Sequence, residues 1–205
     1  VNRVSKVVLY TLCSIDGAVQ DPHRYFPDTL TPDGPPVFDQ QLEDLETEMI
    51  ATQTAVLLGR RTYQQWATYW PTSTVQPFAD FINSVPKYVL TSTPLTHHWP
   101  PATAITGPLP QVVKDLKART TGDIGVHGSI TLAHGLLRAG LVDELCLAIG
   151  PVIDPLGPRL FESITDRCEL ELLSATPTSS GSLWLRYRTD NSMNEKLLAD
   201  RNDGC

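Results

Sequence analysis

Two stretches of this sequence share one grammar, an apolar, β-branched run that ends in glycine and opens a helix. The first is Ala55-Val56-Leu57-Leu58-Gly59-Arg60-Arg61-Thr62-Tyr63, and the second is Ile124-Gly125-Val126-His127-Gly128-Ser129-Ile130-Thr131. At such a junction the first N–H groups of the helix have no intrahelical partner and lie at the positive end of its dipole. Glycine lets an anion come close to that backbone, so each junction is a candidate phosphate site. Arg60 adds a guanidinium that can pair a phosphate through two N–H groups, and Thr62 adds a hydroxyl at the same helix start. Thr91-Ser92-Thr93 follows a third strand end with further hydroxyls. Ligands of open α/β sheets collect at the carboxyl ends of strands. Three donor-bearing ends suit a long, multiply phosphorylated cofactor better than a single small ion. Neither the Rossmann Gly-x-Gly-x-x-Gly nor the Gly-x-x-x-x-Gly-Lys of a phosphate-binding loop occurs in the sequence.

These junctions need a sheet to carry them. Residues 4–13 are mostly apolar and β-branched, as in a strand buried on both faces. That run ends in the turn Ser14-Ile15-Asp16-Gly17. Residues 20–36, with Pro22, Pro27, Pro32, Gly34, Pro35 and Pro36, predict a long functional loop. Residues 37–53 predict a helix with the apolar stripe Phe38, Leu42, Leu45 and Met49, and with Glu43, Asp44 and Glu46 on a solvated side. A short buried strand at 55–58 meets Gly59, and a helix over 62–68 is broken by Trp70-Pro71. Helices near 76–83, 110–119 and 129–139 then alternate with strands at 87–91, 102–105 and 123–126. Pro110 stands at a favourable first helical position, and Gly140 caps the last of these helices.

From there the pattern turns to strands at 144–149, 169–175 and 182–188 without long helices between them. The expected fold is α/β, a mixed, mainly parallel central sheet with helices on both faces and a C-terminal antiparallel hairpin. In the last strand Leu183, Leu185 and Tyr187 alternate with Trp184, so both faces must be covered, by core or by a partner. One domain is expected over 1–190, followed by a polar tail at 191–205.

The formal charge of −7 argues against a general affinity for nucleic acid or anionic membranes. No run of 18 apolar residues is present, and the N-terminal residues lack the pattern of a signal peptide. The four cysteines are far apart, and Cys13 and Cys146 lie in apolar runs. Buried free thiols fit a reducing cytosol, so a cytoplasmic protein is expected. His97-His98 has no further ligands in view, and no metal is expected.

The order Ser14-Ile15-Asp16-Gly17, Leu58-Gly59-Arg60-Arg61-Thr62-Tyr63, His127-Gly128-Ser129 and Leu141-Val142-Asp143-Glu144-Leu145 resembles the dihydrofolate-reductase superfamily. It is most similar to the branch holding the C-terminal reductase domain of the riboflavin-biosynthesis enzyme and its stand-alone relatives, over about residues 4–188. The resemblance implies an NADPH-dependent reductase built on about eight strands. Gly59, Arg60 and Thr62 would bind the adenosine phosphates and pyrophosphate, with Thr91 and Ser92 near the 2′-phosphate. Gly128, Ser129, Ile130 and Thr131 would cradle the pyrophosphate from the other side. Thr11, Leu12 and residues 15–19 would edge the nicotinamide. Dihydrofolate reductases carry a Gly-Gly pair, with a cis peptide, where this chain has His127-Gly128. Their catalytic acid lies on the helix after the loop; counting back from Gly59 gives Glu43, with Asp39 and Glu46 on the same helical face. A homodimer formed through the C-terminal strands is also implied.

Asp16 and Glu43 are the candidates for completing a reduction with a proton. Asp16 fits a turn cap equally well. His127 suits a structural role or a ligand contact, and Trp66, Tyr69 and Trp70 suit a pocket wall or core packing. The expected activity is hydride transfer from NADPH to a C=N, C=O or conjugated C=C bond of a small, flat, heterocyclic substrate. A riboflavin-pathway ribosylaminopyrimidine phosphate and dihydrofolate are alternatives, as is a protein that binds NADPH without catalysis. A phosphorylated substrate would call for extra basic residues, and no clear second phosphate site is evident.

Overall fold

The computed structural model describes residues 4–165 and 167–189; the expected tail at 191–205 lies outside these. The chain opens with β1 (Val7–Ser14), the four-residue α1 (Pro22–Tyr25), α2 (Gln40–Ile50) and β2 (Gln53–Gly59). There follow α3 (Arg60–Tyr69), a 3-10 turn (Trp70–Thr72), α4 (Phe78–Ser84), β3 (Lys87–Leu90) and β4 (Ala102–Ile105). Then come α5 (Leu109–Arg119), β5 (Asp123–Val126), α6 (Ile130–Arg138), β6 (Glu144–Gly150), β7 (Leu170–Pro177) and β8 (Leu183–Thr189).

The eight strands form one sheet in the order β4-β3-β2-β5-β1-β6-β8-β7. All pairs from β4 to β6 are parallel. Strand β8 is antiparallel to both β6 and β7, so it is inserted between them, and the C-terminal hairpin closes one side of the sheet.

Side chains of a strand alternate between faces, and β1 feeds two cores accordingly. Val8 and Tyr10 join Val56, Leu58, Cys146 and Trp184 under Leu42 and Met49 of α2, Tyr63 of α3 and Ile82 of α4. Val7 and Leu9 join Leu116 of α5 and Leu136 of α6 on the other face. Trp184 goes to the first layer, and Leu185 and Tyr187 pack on the second, so core covers both faces of β8.

Helix ends follow capping chemistry more closely than the apolar pattern. Helix α2 begins at Gln40 rather than 37 because the Asp39 carboxylate accepts the Leu42 N–H at 3.1 Å. Helix α3 begins at Arg60, before the expected 62, since Gly59 is itself the extended capping residue and β2 runs straight into it. The proline-rich loop holds the short α1, anchored by buried Tyr25. One side-chain expectation is corrected: Glu46 is not solvated but buried, 6% exposed, on the α2 stripe between Leu42 and Met49.

Candidate functional site

Strands β2 and β5 are parallel neighbours, so their two glycine junctions emerge side by side at one edge of the sheet. They interlock. A methyl group added at Gly59 would sit 2.5 Å from Ser129 Oγ, and one at Gly128 would sit 2.9 Å from Thr62 Cγ2. Glycine is needed at both places because each helix start occupies the space a side chain would take at the other. Ser129 caps α6, accepting the Leu132 N–H at 3.3 Å. The peptide between Gly128 and Ser129 is cis, one bond beyond the His127-Gly128 pair.

The start of α3 has no side-chain cap, so its first N–H groups face outward next to Arg60 and Arg61. Both arginines are exposed and carry no ion pair among the described residues. Beside them, β5 stops short. Its last pair with β1 is Val126 with Leu9, whereas β1 continues along β6 to Ser14. Thr11 and Leu12, half-buried, therefore line an open crevice at the end of β5, and the Thr11 hydroxyl donates to the Leu12 carbonyl at 3.2 Å. At the end of β3 the Thr91 hydroxyl is used in a local turn, accepting the Thr93 N–H at 3.1 Å, while Ser92 is exposed. Ile130 is half-exposed and Thr131 exposed at the start of α6.

Asp16 lies in the turn after β1, where its carboxylate takes the Ser14 hydroxyl at 2.7 Å, the Asp154 N–H at 2.9 Å and Arg159 Nη2 at 3.0 Å. The Ser14 hydroxyl and the Asp154 N–H, helped by Arg159, hold it below the usual carboxylate range. Asp154 in turn takes Arg24 Nε and Nη2 at 2.6 and 2.8 Å, which brings its pKa down to about 2. Asp16 is thus a tie between two loops, with donors that favour its charged form.

The titratable carboxyl is elsewhere. Glu43 stands half-exposed on α2, and Asp39 is spent on the helix cap and on Ser179 and Ser180. Glu46 faces the sheet, where Tyr10 Oη donates to its Oε1 at 2.9 Å. Burial pushes the Glu46 pKa up to about 7, against the opposing effect of the Tyr10 hydrogen bond. Beside Tyr10 lies His127, with ring centroids 5.7 Å apart. Its Nε2–H donates to Gln53 Oε1 at 2.7 Å, directly over the bare Cα of Gly125. Burial lowers the imidazole pKa to about 3, so the ring is neutral.

From His127 a chain of ring contacts runs through Phe78 and Phe81 to Trp70 and Trp66. Trp66, Trp70 and Phe81 are partly exposed members of the layer under α2 to α4, as are Leu12, Phe38 and Leu45. Of the two sequence-based options for Trp66 and Trp70, core packing is the one seen here. Tyr69 meets Trp70 edge-on but stands exposed. The signal for Glu46 was present in the sequence as a carboxylate four residues after Leu42 and three before Met49 on the stripe.

A protein-family model for the RibD C-terminal domain matches residues 5–183. Protein YyaP of Bacillus subtilis is 28% identical over 145 residues, 69% of this chain and 77% of that one. A protein of Shewanella sp. PV-4 assigned to riboflavin biosynthesis has a similar structure, with a TM-score of 0.70 at 16% identity, covering 90% of this chain and 99% of that one. Dihydrofolate reductase of Enterococcus faecalis, solved with NADP(H), gives a TM-score of 0.58 at 14% identity over 90% and 96% of the two chains. Among the described residues no helix is long and apolar enough to cross a membrane. The sheet order, the interlocked glycine junctions and the match over residues 5–183 agree: this chain belongs to the RibD C-terminal domain family and has the dihydrofolate-reductase-like fold.

Proposed function

We propose that the protein is an NADPH-dependent reductase of a small, flat substrate. The interlock of Gly59 with Ser129 and of Gly128 with Thr62 carries this reading, because it aims two helix starts at one crevice. The strand ends β3, β2, β5 and β1 follow one another in space. Three strand spacings make roughly 14 Å, a reach suited to an extended dinucleotide. The 2′-phosphate would lie by Arg60 and Ser92, the pyrophosphate between the starts of α3 and α6, and the nicotinamide by Thr11 and Leu12. Arg60, Arg61 and the uncapped N–H groups of α3 offer the positive charge such a ligand needs.

The dihydronicotinamide, when bound, supplies a hydride to the acceptor carbon of a C=N or C=O bond, whose π electrons move to the heteroatom. That atom then needs a proton. Glu46 suits this better than Glu43 or Asp16: its pKa of about 7 keeps a proton available at neutral pH. Tyr10 fixes its orientation, and Tyr10 lies on the same face of β1 as Leu12 at the crevice. Glu46 regains its proton from water after turnover. The aromatic wall and the loop after β1 would exclude water from the hydride step.

The buried thiols Cys13 and Cys146 support a cytoplasmic setting. The exposed Leu170 and Leu172 on the edge strand β7 support a homodimer through the C-terminal strands.

Titration with NADPH and NADH tests the reading. Arg60→Ala should weaken NADPH by about 10- to 100-fold, since a charge-assisted phosphate contact contributes roughly 1.5–3 kcal/mol, and should leave NADH nearly unchanged. Equal losses would move Arg60 to the pyrophosphate. Failure of the wild-type protein to bind NADPH would end the proposal. Tight binding without acceptor-dependent oxidation across a panel of imines and carbonyls would make it a binding protein.

A further inference from the structure

The two ends of the proposed site differ sharply in charge. At the cofactor end Arg60 and Arg61 are exposed and free of ion pairs among the described residues. At the other end the arginines near the mouth among the described residues, Arg24 and Arg159, are both matched. Arg24 grips Asp154 with two N–H groups, and Arg159 pairs with Asp16 while its remaining donors go to the carbonyls of Asp154, Leu156 and Gly157. Asp21 acts on Arg24 as well, and Glu162 accepts the Arg159 N–H at 3.0 Å, so the two arginines leave no positive charge to spare on this rim.

The layer behind the rim is equally poor in free positive charge. Lys87 is buried there, but its ammonium is tied to the carbonyls of Ile82 and Val85 and lies over the Trp99 ring. The imidazole of His127 is held by Gln53, and Tyr10 is tied to Glu46. The partly exposed side chains that share this layer with Leu12 are instead aromatic: Trp66, Trp70 and Phe81. A phosphate brought against these groups would lose water without gaining a cation, which is costly. A neutral ring would lose little and would gain stacking and edge contacts.

From this juxtaposition we infer that the substrate is an uncharged, flat ring system without a phosphate group, seated against the Trp66–Trp70–Phe81 wall. The inference rests on the reductase reading and narrows it, setting aside the ribosylaminopyrimidine phosphate among the substrates the sequence left open.

The test uses riboflavin and riboflavin 5′-phosphate, which share one flat ring and differ by a phosphate. Each is titrated into the full chain saturated with NADP+, so that nothing turns over, and flavin fluorescence reports stacking on indole. Riboflavin should bind at least about tenfold more tightly than its phosphate. Asp154→Asn, which frees Arg24, should narrow that ratio at least about threefold and leave NADP+ affinity unchanged. Preference for the phosphate, binding of neither flavin, or an Asp154→Asn ratio equal to wild type would each overturn the inference. The wild-type ratio decides alone if the variant does not fold. NADP+ affinity is measured first. Its absence would remove the reductase reading itself, whereas firm NADP+ binding with a preference for the phosphate removes only the neutral-substrate inference.

Discussion

Glu46→Gln should change how stability depends on pH, in a direction that the burial of Glu46 dictates. A carboxyl whose pKa is raised by folding binds a proton more tightly in the folded state than in the unfolded chain. Between about 4.5 and about 7 the folded protein therefore holds the extra proton. Stability from this group is fully present below the unfolded value and is lost as pH rises through that window, then stays level above it. The gap between the two values, at roughly 1.4 kcal/mol per pH unit, amounts to about 3 kcal/mol. Glutamine carries no charge and can still accept the Tyr10 hydroxyl, so the variant keeps the hydrogen bond and removes the titration. Urea unfolding of both proteins at pH 4.5, 5.5, 6.5, 7.5 and 8.5 would measure this, and subtraction cancels the other titrating groups. The variant should gain on the wild type by about 3 kcal/mol from the lowest pH to the highest. Parallel curves, agreeing within roughly 0.5 kcal/mol throughout, would refute the reasoning. They would mean that Glu46 meets water in the folded protein, and would remove its claim to hold a proton at neutral pH.

Other outcomes follow from the same geometry. Gly59→Ala places a methyl group 2.5 Å from Ser129 Oγ, so Ser129 must move and α6 loses its cap. A loss of about 1–2 kcal/mol in thermal unfolding and at least about tenfold weaker NADPH binding are expected; unchanged NADPH affinity would separate the two junctions. Leu172, 53% exposed on the edge strand β7, should tolerate glutamate in the monomer but not in a dimer built on that edge. Sedimentation should show a dimeric wild type and a monomeric Leu172→Glu protein, and a monomeric wild type would overturn the proposed homodimer.

The strand-glycine-helix grammar was legible because it is local: Gly59 and Gly128 declare their need for space in the residues that flank them. Their interlock was not, since Gly59 meets Ser129 only after β2 and β5 pair across three intervening helices, a 3-10 turn and two strands. The alternation in residues 183–188 announced that both faces of β8 are covered without saying whether by core or by a partner, and the insertion of β8 between β6 and β7 is a matter of pairing that periodicity does not encode. Helix α2 shows the limit most clearly. Its acidic residues read as one solvated set, but Glu46 finds Tyr10 on a strand thirty-six positions earlier and turns inward. The partners of Asp16 were hidden for the same reason. Its partners Asp154 and Arg159 are more than 130 residues away, on a segment between β6 and β7 whose own sequence carries no periodic signal.

The placement of β1 also bears on how the chain is made. Of the eight strands, the one synthesised earliest lies in the interior of the sheet, and neither neighbour exists until late: Val7–Leu9 wait for Ile124–Val126, and the run to Ser14 waits for β6. Over a hundred residues leave the ribosome before this apolar strand can be enclosed on either edge. During that time it is the segment most open to wrong pairing or to capture by a chaperone. Such distant pairings also make closure of the sheet centre a slow step, paid for in loop entropy before any contact rewards it. A fragment ending before β5 would keep β2, β3 and β4 as possible partners for one another and leave β1 with both edges bare.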